Sequence, residues 1–447
     1  MTDTFYLKYA TRFMACVVTL FFMNSSLARN HIDTQRPDAP ALSAYGKYAV
    51  GVKTLHFTFT DHVDVLKLLE IKDKPLELPR KDRQLVVELW YPADHEGIED
   101  IAPENRVLNA YLRDGKTQVE LFGNAVRDAI AVNSDTPFPL VIVSHGYPGN
   151  RYLLAHLAEN IASKGYIVAS IDHTDSTYRT KAAFASTLYN RPIDQILVLD
   201  QIEKLSHDEN SFLNGNVDTR NTAIVGYSMG GYGAVVNAGA TLSEAAIKSP
   251  VAPPFELLKI YQKQSQRGVD SRIKTVIAFA PWGMNYGVFT ADTMAEVKVP
   301  ILFVAGSQDD VSGYENGVKA MWKSALHVDR ALLTYENANH NAGAVMPAPE
   351  EAFFFDKDLG INVSEHYIDA VWDNTRMNNI AQHFATAWLA KYLKSKDTSE
   401  YLDLVPSSND GVWALDDEGN SRAQHTYWKG FKNRTAKGLK FEVLDAK

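Results

Sequence analysis

Apolar residues along this chain are arranged in two alternating patterns. Short apolar runs predict strands, and the later of these runs are nearly continuous in Val, Ile, Leu and Phe, as strands covered on both faces should be. Longer runs between them carry apolar residues at helical spacing and predict amphipathic helices. Strands are predicted at residues 53–59, 85–91, 140–144, 166–172, 222–227, 275–280, 301–305 and 331–335. The alternation predicts an α/β fold, with a doubly wound, mostly parallel, eight-stranded sheet and helices on both faces.

The predicted helices are also recognisable by their ends. In the run "RYLLAHLAENIASKG" (151–165), Leu157 and Ile161 lie on one stripe, and Gly165 is typical of a helix C-terminus. The run "TRMNNIAQHFATAWLAKYLK" (375–394) is predicted to form a second, longer helix.

The predicted organisation is a single α/β domain with segments added before, within and after it. No internal repeat, low-complexity block or long Gly/Ser linker divides the sequence. The middle insertion contains a proline-broken amphipathic stretch, which is predicted either to form a lid or lipid-facing flap or to pack on the domain. The predicted boundaries are a signal peptide at 1–28, an extended leader at 29–44, the α/β domain at 45–396, insertions at about 94–138, 242–272 and 341–375, and a C-terminal extension packed on the domain at 397–447.

The first residues have the features of a secretory signal peptide. Lys8 and Arg12 precede an apolar run at 13–23, and the small-x-small sequence ending at Ala28 predicts cleavage after that residue. The run is short for a bilayer span, which takes about 20 residues; an uncleaved membrane anchor is the alternative. We therefore expect a secreted or periplasmic protein with no stable membrane span in the mature chain. Cys16 is the only cysteine, so the mature chain would carry no disulfide and no thiol nucleophile.

Composition and charge narrow the range of partners and cofactors. The chain has 447 residues, of which 45% are hydrophobic and 22% charged, and its net charge is −9. An acidic chain without a stripe of Lys or Arg is not expected to bind nucleic acid. The sequence also lacks the H-E-x-x-H metal motif, the G-x-x-x-x-G-K phosphate loop and a dinucleotide fingerprint, so neither a metal nor an organic cofactor is expected. The sequence makes no prediction of oligomeric state.

The stretch "NTAIVGYSMGGYGAVV" (221–236) is the first candidate for chemistry. Gly226-x-Ser228-x-Gly230 follows a predicted buried strand and precedes a predicted helix, which is the context of a nucleophile elbow. In such a turn the serine backbone is strained, and the flanking glycines avoid a clash. A glycine-rich turn that only connects a strand to a helix is the simpler alternative. The sequence around the motif favours Ser228 as a nucleophile.

The acid and the base that a serine nucleophile requires occur in the expected order. A base must activate the hydroxyl, and an acid must orient the base; in this architecture the chain order is Ser, then Asp or Glu, then His. Asp309 and Asp310 end the run "VPILFVAGSQDD", and His340 follows the next predicted strand. Asp309 is preferred to Asp310 because its position after the strand fits the usual acid turn. His145 and His173 are less suitable, since both precede the serine.

The oxyanion formed in such a reaction needs two backbone N–H donors. One is expected from Met229, directly after the nucleophile, and the other from Tyr147 in the loop "SHGYPGN". The alternative for that loop is an ordinary tight turn between strand and helix. Trp282, in "APWG", is predicted either to flank a substrate at the same edge of the sheet or to belong to the core.

These motifs resemble a known enzyme superfamily. "LVVELWYPA", "LVIVSHGYPGN", "LAENIASKGYIVASIDHTDST" and "GYSMGG" look like the dienelactone hydrolase and platelet-activating-factor acetylhydrolase branch of the α/β-hydrolases, over residues 45–393. "SHGYPGN" with "APWG" is also similar to bacterial cutinases and polyester hydrolases. Ser228 stands where true dienelactone hydrolases have a cysteine, and compact cutinases lack the three insertions.

The resemblance implies an α/β-hydrolase fold and a specific site. The implied residues are the nucleophile Ser228, the acid Asp309, the base His340, the oxyanion donors Tyr147 and Met229, and the substrate-cleft residues Tyr147 and Trp282. The expected function is that of a secreted serine esterase, which cleaves a small-molecule, lipid or polymer ester through an acyl-enzyme intermediate and needs no cofactor.

Two other functions are compatible with the same motifs. A peptidase of the prolyl oligopeptidase type would also contain "GYSMGGYG", but such enzymes usually carry a propeller. The roughly 100 residues before the central strands are too few for a set of blades of about 40–50 residues each. The other alternative is an inactive hydrolase fold used for binding. Proteins of that kind usually lack a member of the triad, and this chain retains all three.

Overall fold

The computed structural model describes residues 30–96, 98, 102–265 and 268–447. The predicted signal peptide and its cleavage site after Ala28 lie outside the described residues. The strands are β1 (Asn30–His31), β2 (Ala49–Val63), β3 (Arg80–Ala93), β4 (Val107–Tyr111), β5 (Gln118–Phe122), β6 (Val126–Arg127), β7 (Phe138–Ser144), β8 (Ile167–Asp172), β9 (Val217–Tyr227), β10 (Ile273–Phe279), β11 (Ile301–Gly306), β12 (Arg330–Tyr335), β13 (Phe355–Asp356), β14 (Ile361–Asn362) and β15 (Leu439–Leu444). The α-helices are α1 (Val65–Leu68), α2 (Ala155–Ala162), α3 (Phe184–Ser206), α4 (Met229–Asn237), α5 (Glu244–Ile247), α6 (Leu257–Ser265), α7 (Ala291–Met294), α8 (Lys319–Ser324), α9 (Asn374–Lys394) and α10 (Ser399–Leu402).

The main sheet contains ten of these strands, in the order β15-β12-β11-β10-β9-β7-β8-β3-β2-β6. The neighbours from β8 through β7, β9, β10 and β11 to β12 are parallel. The pairs β2–β3, β3–β8 and β12–β15 are antiparallel. The predicted doubly wound, mostly parallel sheet is therefore confirmed.

The sheet is wider than the eight strands predicted from the sequence, all of which it contains. The added strands are β6 and β15, one at each edge. β6 has two residues, which is too short to produce a hydrophobic pattern. β15 buries only alternate positions near its start, and Val443 is 47% exposed. Edge strands of this kind lack the continuous apolar run that marks a strand covered on both faces.

Helices cover both faces of the sheet, as the sequence predicted. On one face α2 and α9 pack with their apolar stripes inward, and Leu157, Phe384 and Trp388 belong to that core. The indole of Trp388 donates a hydrogen bond of 2.7 Å to the Thr275 hydroxyl, which fixes α9 to β10. On the other face α3 and α4 pack on the sheet with α8. Burial of these layers supplies the main driving force for folding.

The three segments between the predicted strands each form local structure. The segment at 94–138 contributes β4 and β5, which join β1 in a small sheet of order β1-β5-β4. The segment at 242–272 contains α5 and α6, and the segment at 341–375 contains the β13–β14 pair. β15, from the C-terminal residues, pairs with β12 at one edge of the main sheet.

Candidate active site

The loops that follow β7, β9, β11 and β12 leave the main sheet at its carboxyl edge, because these strands are parallel. Ligands of open α/β sheets bind at this edge. The sequence-predicted residues Tyr147, Ser228, Asp309 and His340 each follow one of these strands. The topology therefore brings residues that are far apart in the sequence into one region.

Ser228 occupies a strained turn between β9 and α4. Its backbone has φ 53° and ψ −112°, in a region that residues other than glycine rarely adopt. A Cβ atom on Gly226 would lie 2.2 Å from the Gly230 carbonyl oxygen, and one on Gly230 would lie 1.9 Å from the Ser144 carbonyl oxygen. Neither position has room for a side chain. The two glycines are thus required by the close approach of the chain to itself at this turn.

The side chains of Ser228, His340 and Asp309 form one chain of hydrogen bonds. His340 Nε2 lies 3.0 Å from Ser228 Oγ, and His340 Nδ1 lies 3.0 Å from each carboxylate oxygen of Asp309. Because Asp309 is an acceptor, Nδ1 carries the imidazole proton and Nε2 is free to accept the serine proton. The Asp309 side chain is fully buried, whereas that of His340 is 13% exposed. The histidine is therefore accessible on its serine side and held on its acid side.

Asp309, and not Asp310, is the carboxylate that contacts His340. Asp309 Oδ1 also accepts hydrogen bonds from the Val311 and Ser312 amides, at 2.9 and 2.8 Å. These donors hold the carboxylate in place. The side chain of Asp310 is exposed, and its backbone amide donates to the Asn339 side chain.

The loop that carries His340 is fastened by the segment at 341–375. Asn341 donates to the carbonyl oxygens of Glu365 and Ile368, and it accepts a hydrogen bond of 2.9 Å from the Tyr227 hydroxyl. The Tyr227 ring packs against the His340 imidazole, with ring centroids 5.2 Å apart. From the sequence this segment is predicted only as an insertion, since nothing local in it indicates contact with the base.

The loop with Tyr147 lies directly against the Ser228 turn. A Cβ atom on Gly146 would be 3.4 Å from Ser228 Cβ and 3.2 Å from the Tyr227 ring. Within the described residues, neither the Tyr147 amide nor the Met229 amide donates to another backbone group. Both amides are therefore available as donors at this turn. The carbonyl oxygens on the other side of the loop are bound by the buried guanidinium of Arg191, a residue that sequence analysis missed.

Aromatic side chains form a continuous wall beside Ser228. The Tyr147 and Phe184 rings are 5.2 Å apart, Phe184 and Trp282 are also 5.2 Å apart, and Trp282 stacks on Tyr286 at 5.0 Å. The Trp282 amide donates a 3.1 Å hydrogen bond to the Ser228 carbonyl oxygen. Trp282 is half-buried, so it lies at the edge of the site and not inside the core. Phe184 and Tyr286 complete the wall, and sequence analysis identified neither.

A cavity of about 210 Å³ lies along this wall, on the side of Trp282 and Tyr286. It is mostly apolar and is covered by residues of the middle insertion. Its lining consists of Leu188, Tyr232, Leu242, Ala245, Ala246, Ser249, Val251, Leu258, Trp282, Tyr286 and Val288. Through Trp282 and Tyr286, the cavity shares part of its lining with the aromatic wall.

The described residues hold no group of three or more His, Cys, Asp and Glu side chains that is arranged to bind a metal ion. Among the same residues, no helix combines the length and apolarity that crossing a bilayer requires.

The sheet order and the strand–Ser228–helix turn define the fold of the chain as that of the α/β-hydrolases. In agreement, residues 37–211 match the model of the family described as platelet-activating factor acetylhydrolase, isoform II. A ferulic acid esterase from Streptomyces cinnamoneus has a similar structure, with a TM-score of 0.54 and 19% sequence identity over 83% of this chain and 94% of that chain. The predicted fold class is thereby confirmed.

The relatives in sequence are esterases of two kinds. Cutinase 2 of Thermobifida cellulosilytica is 23% identical over 282 residues, which cover 63% of this chain and 78% of the cutinase. Cutinase est1 of Thermobifida alba is 27% identical over 203 residues, which cover 45% of this chain and 53% of that protein. The platelet-activating factor acetylhydrolase of Cavia porcellus is 23% identical, over 58% of each chain. The predicted resemblance to both groups is confirmed, and so is the predicted class of carboxylic ester hydrolase.

Proposed function

We propose that this protein is a secreted serine esterase that hydrolyses carboxylic esters through an acyl-enzyme intermediate. The observation that carries the proposal is the hydrogen-bonded chain from Ser228 through His340 to Asp309. This chain lies at the carboxyl edge of an α/β-hydrolase sheet, on a strained turn. Nucleophile, base and acid have the mutual geometry that acyl transfer requires. The esterase relatives support the same reaction class.

The reaction proceeds in two steps that use the same residues. His340 Nε2 takes the hydroxyl proton as Ser228 Oγ attacks the ester carbonyl, and Asp309 orients the imidazole and stabilises its positive charge. The Tyr147 and Met229 amides donate to the developing oxyanion; loss of one such donor typically lowers kcat by about 10²–10³. His340 then protonates the leaving alcohol. Water activated by His340 attacks the acyl-enzyme and releases the acid.

The substrate is an ester with an apolar or aromatic part. Tyr147 and Trp282 flank the nucleophile, and with Phe184 and Tyr286 they offer flat aromatic faces to the substrate. The chain carries a net charge of −9, which does not favour polyanionic substrates. Small-molecule, lipid and polymer esters all contain a group that fits such a wall.

Hydrolysis of p-nitrophenyl acetate, butyrate, octanoate and palmitate by the protein without residues 1–28 tests the proposal. We expect hydrolysis by the wild type and a loss of at least about 10⁴-fold in kcat for Ser228→Ala, as is typical for removal of a serine nucleophile. Ser206→Ala, at the end of α3, is the matched control and should keep full activity. Equal inactivity of wild type and Ser228→Ala on every ester, without labelling by a fluorophosphonate, would instead support a hydrolase fold used for binding.

Export is the second part of the proposal. Residues 1–28 would direct the chain across the membrane and be removed after Ala28. Expression of the full-length chain with a C-terminal tag should yield a protein outside the cytoplasm whose first residue is Arg29. An N-terminus at Met1 in a membrane fraction would support the alternative of an uncleaved anchor.

A further inference from the structure

A second Ser–His–Asp chain of hydrogen bonds lies behind the loop that carries Tyr147. Ser144 Oγ is 2.8 Å from His173 Nε2, and His173 Nδ1 is 2.8 Å from Asp194 Oδ2. All three residues are buried, and Ser144 and Asp194 are 0% exposed. No substrate can reach Ser144 in this position. The set therefore has a role other than nucleophilic attack, although its connectivity is the same as that of Ser228, His340 and Asp309.

The protonation of this second set is fixed by its neighbours. Arg83 donates to both carboxylate oxygens of Asp194, at 2.5 and 2.7 Å, so Asp194 is a carboxylate and accepts the Nδ1 proton of His173. Burial lowers the pKa of His173 well below its usual range, which keeps the imidazole neutral. Its Nε2 consequently accepts a hydrogen bond from the Ser144 hydroxyl. Each of the two hydrogen bonds in the set therefore has a defined donor and a defined acceptor.

The same histidine connects the set to the oxyanion loop. The His173 amide donates to His145 Nε2 at 3.2 Å, so the His145 proton is on Nδ1, which donates to the Gly146 carbonyl oxygen at 2.7 Å. Gly149 must lack a side chain here, because its Cβ would lie 2.6 Å from His145 Nδ1. The His145 ring is therefore held by hydrogen bonds to His173, directly after β8, and to Gly146 in the loop.

Arg191, on α3, holds the loop from the same side. Its guanidinium donates to the carbonyl oxygens of His145 and Gly146, the latter at 3.3 Å, and to Ser176 Oγ at 2.6 Å. Arg191 is 1% exposed and makes no direct contact with a carboxylate within the described residues. Its hydrogen bonds therefore go to the two carbonyl groups and to Ser176, while Asp194 and Asp175 interact with its charge without direct contact. In a low-dielectric interior such a charge polarises the hydrogen bonds connected to it.

The direction of the Tyr147 N–H follows from these contacts. The Gly146–Tyr147 peptide is trans, so its carbonyl and its N–H point in opposite directions. Because the Gly146 oxygen accepts from both His145 and Arg191, the Tyr147 N–H is turned away from them. Gly146 itself lies against Ser228.

We propose that Arg191 is a positioning residue for the esterase reaction. It holds the Gly146–Tyr147 peptide so that the Tyr147 N–H can donate a hydrogen bond to the oxyanion. The buried Ser144–His173–Asp194 set supports the same loop through His145. This inference rests on the proposed function, since it takes Tyr147 as an oxyanion donor. It assigns a purpose to His145 and His173, the two histidines that precede the nucleophile in the sequence.

The test compares Arg191→Met and Arg191→Lys with wild type on p-nitrophenyl butyrate. We expect Arg191→Met to lower kcat by about 10²-fold, as for loss of one oxyanion donor, with KM changed by less than about twofold. Affinity for an alkyl trifluoromethyl ketone, which forms a tetrahedral adduct with the serine, should fall in parallel with kcat/KM. Arg191→Lys keeps the charge and one donor, so its kcat should lie between those of wild type and Arg191→Met.

Arg330→Met is the matched control. Arg330 is equally buried, and its guanidinium donates to three backbone carbonyl oxygens, those of Trp322, Val328 and Asp445, at the edge of the sheet near β15. Its loss should lower the melting temperature but leave kcat within about twofold of wild type, because no contact connects it to the reacting atoms. A general effect of losing a buried arginine would appear in both variants.

The outcomes separate this inference from the proposed function. Activity retained in Ser228→Ala would overturn the proposed function and this inference with it. If Ser228→Ala is inactive but Arg191→Met keeps kcat within about threefold, or loses no more than Arg330→Met, only the role of Arg191 is overturned. Should Arg191→Met fail to fold, Arg191→Lys decides: we expect at least about a fivefold loss of kcat at unchanged KM, and an unchanged kcat overturns the role.

Discussion

At the scale of single residues, the environment of a side chain decides its role more than its identity does. The described residues contain two hydrogen-bonded Ser–His–Asp sets with nearly equal distances. Ser144 is 0% exposed and ends a regular strand, whereas Ser228 is 7% exposed and occupies a turn with positive φ. Only the set that contains Ser228 combines a strained serine with access from the aromatic wall. That difference is the basis for choosing Ser228 as the nucleophile.

The two adjacent aspartates provide a test at the same scale. Asp309→Asn should lower kcat by about 10⁴-fold, because the amide cannot hold His340 in the required tautomer. Asp310→Asn should stay within about twofold of wild type, since the Asp310 side chain is exposed and its contact to Asn339 is made by the backbone. Steady-state kinetics on p-nitrophenyl butyrate measures both. Equal losses in the two variants would contradict the assignment of Asp309 as the acid.

At the scale of elements, the middle insertion defines the wall of the cavity beside Trp282. Ala246, on α5, is buried in this lining and faces a cavity of about 210 Å³. An aromatic side chain there would occupy space that we expect an acyl chain to use. The insertion therefore has a predicted effect on substrate size as well as on packing.

Ala246→Phe should change the acyl-chain preference. One methylene in an apolar pocket is worth about 10–200-fold in kcat/KM, so we expect at least a tenfold loss with p-nitrophenyl octanoate and a change of less than about twofold with the acetate. Lys248→Phe, which adds the same side chain at an exposed position just after α5, is the control and should leave the profile unchanged. A uniform loss on all esters in Ala246→Phe would indicate misfolding and not a filled pocket.

The contact between α2 and α9 buries two histidines that make the fold sensitive to acid. Desolvation lowers the pKa of His156 to about 3, and both of its ring nitrogens lack a hydrogen-bond partner in the described structure. Desolvation, with a smaller contribution from Lys164, lowers the pKa of His383 to about 3. The unfolded chain binds these protons near pH 6.5, while the folded chain does not. Stability should therefore be complete above about pH 6.5 and decrease as the pH falls towards 3.

His156→Leu should remove part of this pH dependence. At pH 5, about 1.5 pH units below the ordinary histidine pKa, keeping His156 neutral in the folded chain costs about 2 kcal/mol of unfolding free energy. The variant should therefore gain more in melting temperature at pH 5 than at pH 8, relative to wild type. Differential scanning calorimetry at the two values measures the difference. The same change in melting temperature at both pH values would argue against a neutral buried His156 as the cause.

At the scale of the whole molecule, the sequence was most informative about strands that can be recognised from their own apolar residues. The eight predicted strands were recognised from their apolar patterns, and the residues that follow them, including Ser228, Asp309 and His340, were singled out by their order along the chain. Parallel strands then bring such residues to one edge of the sheet. No comparable local pattern marks β15, whose pairing with β12 depends on a chain reversal after α10.

The parts of the site that the sequence did not predict depend on contacts between distant segments. Arg83, Asp194 and His173 come from a strand, a helix and a loop, and each alone resembles an ordinary polar residue. Phe184 and Tyr286 join the aromatic wall only because α3 and the loop after β10 converge near Trp282. A hydrophobic pattern reports burial of single elements. It does not report which buried polar groups will meet.

The most direct test of the central claim is mass spectrometry of the protein quenched with acid during turnover of p-nitrophenyl butyrate. We predict a butyryl group on the peptide that contains Ser228, absent in Ser228→Ala, and no adduct on the peptide that contains Ser144. This result would establish the acyl-enzyme and distinguish the two Ser–His–Asp sets. A butyryl group on any other residue, or hydrolysis that continues in Ser228→Ala, would contradict the account.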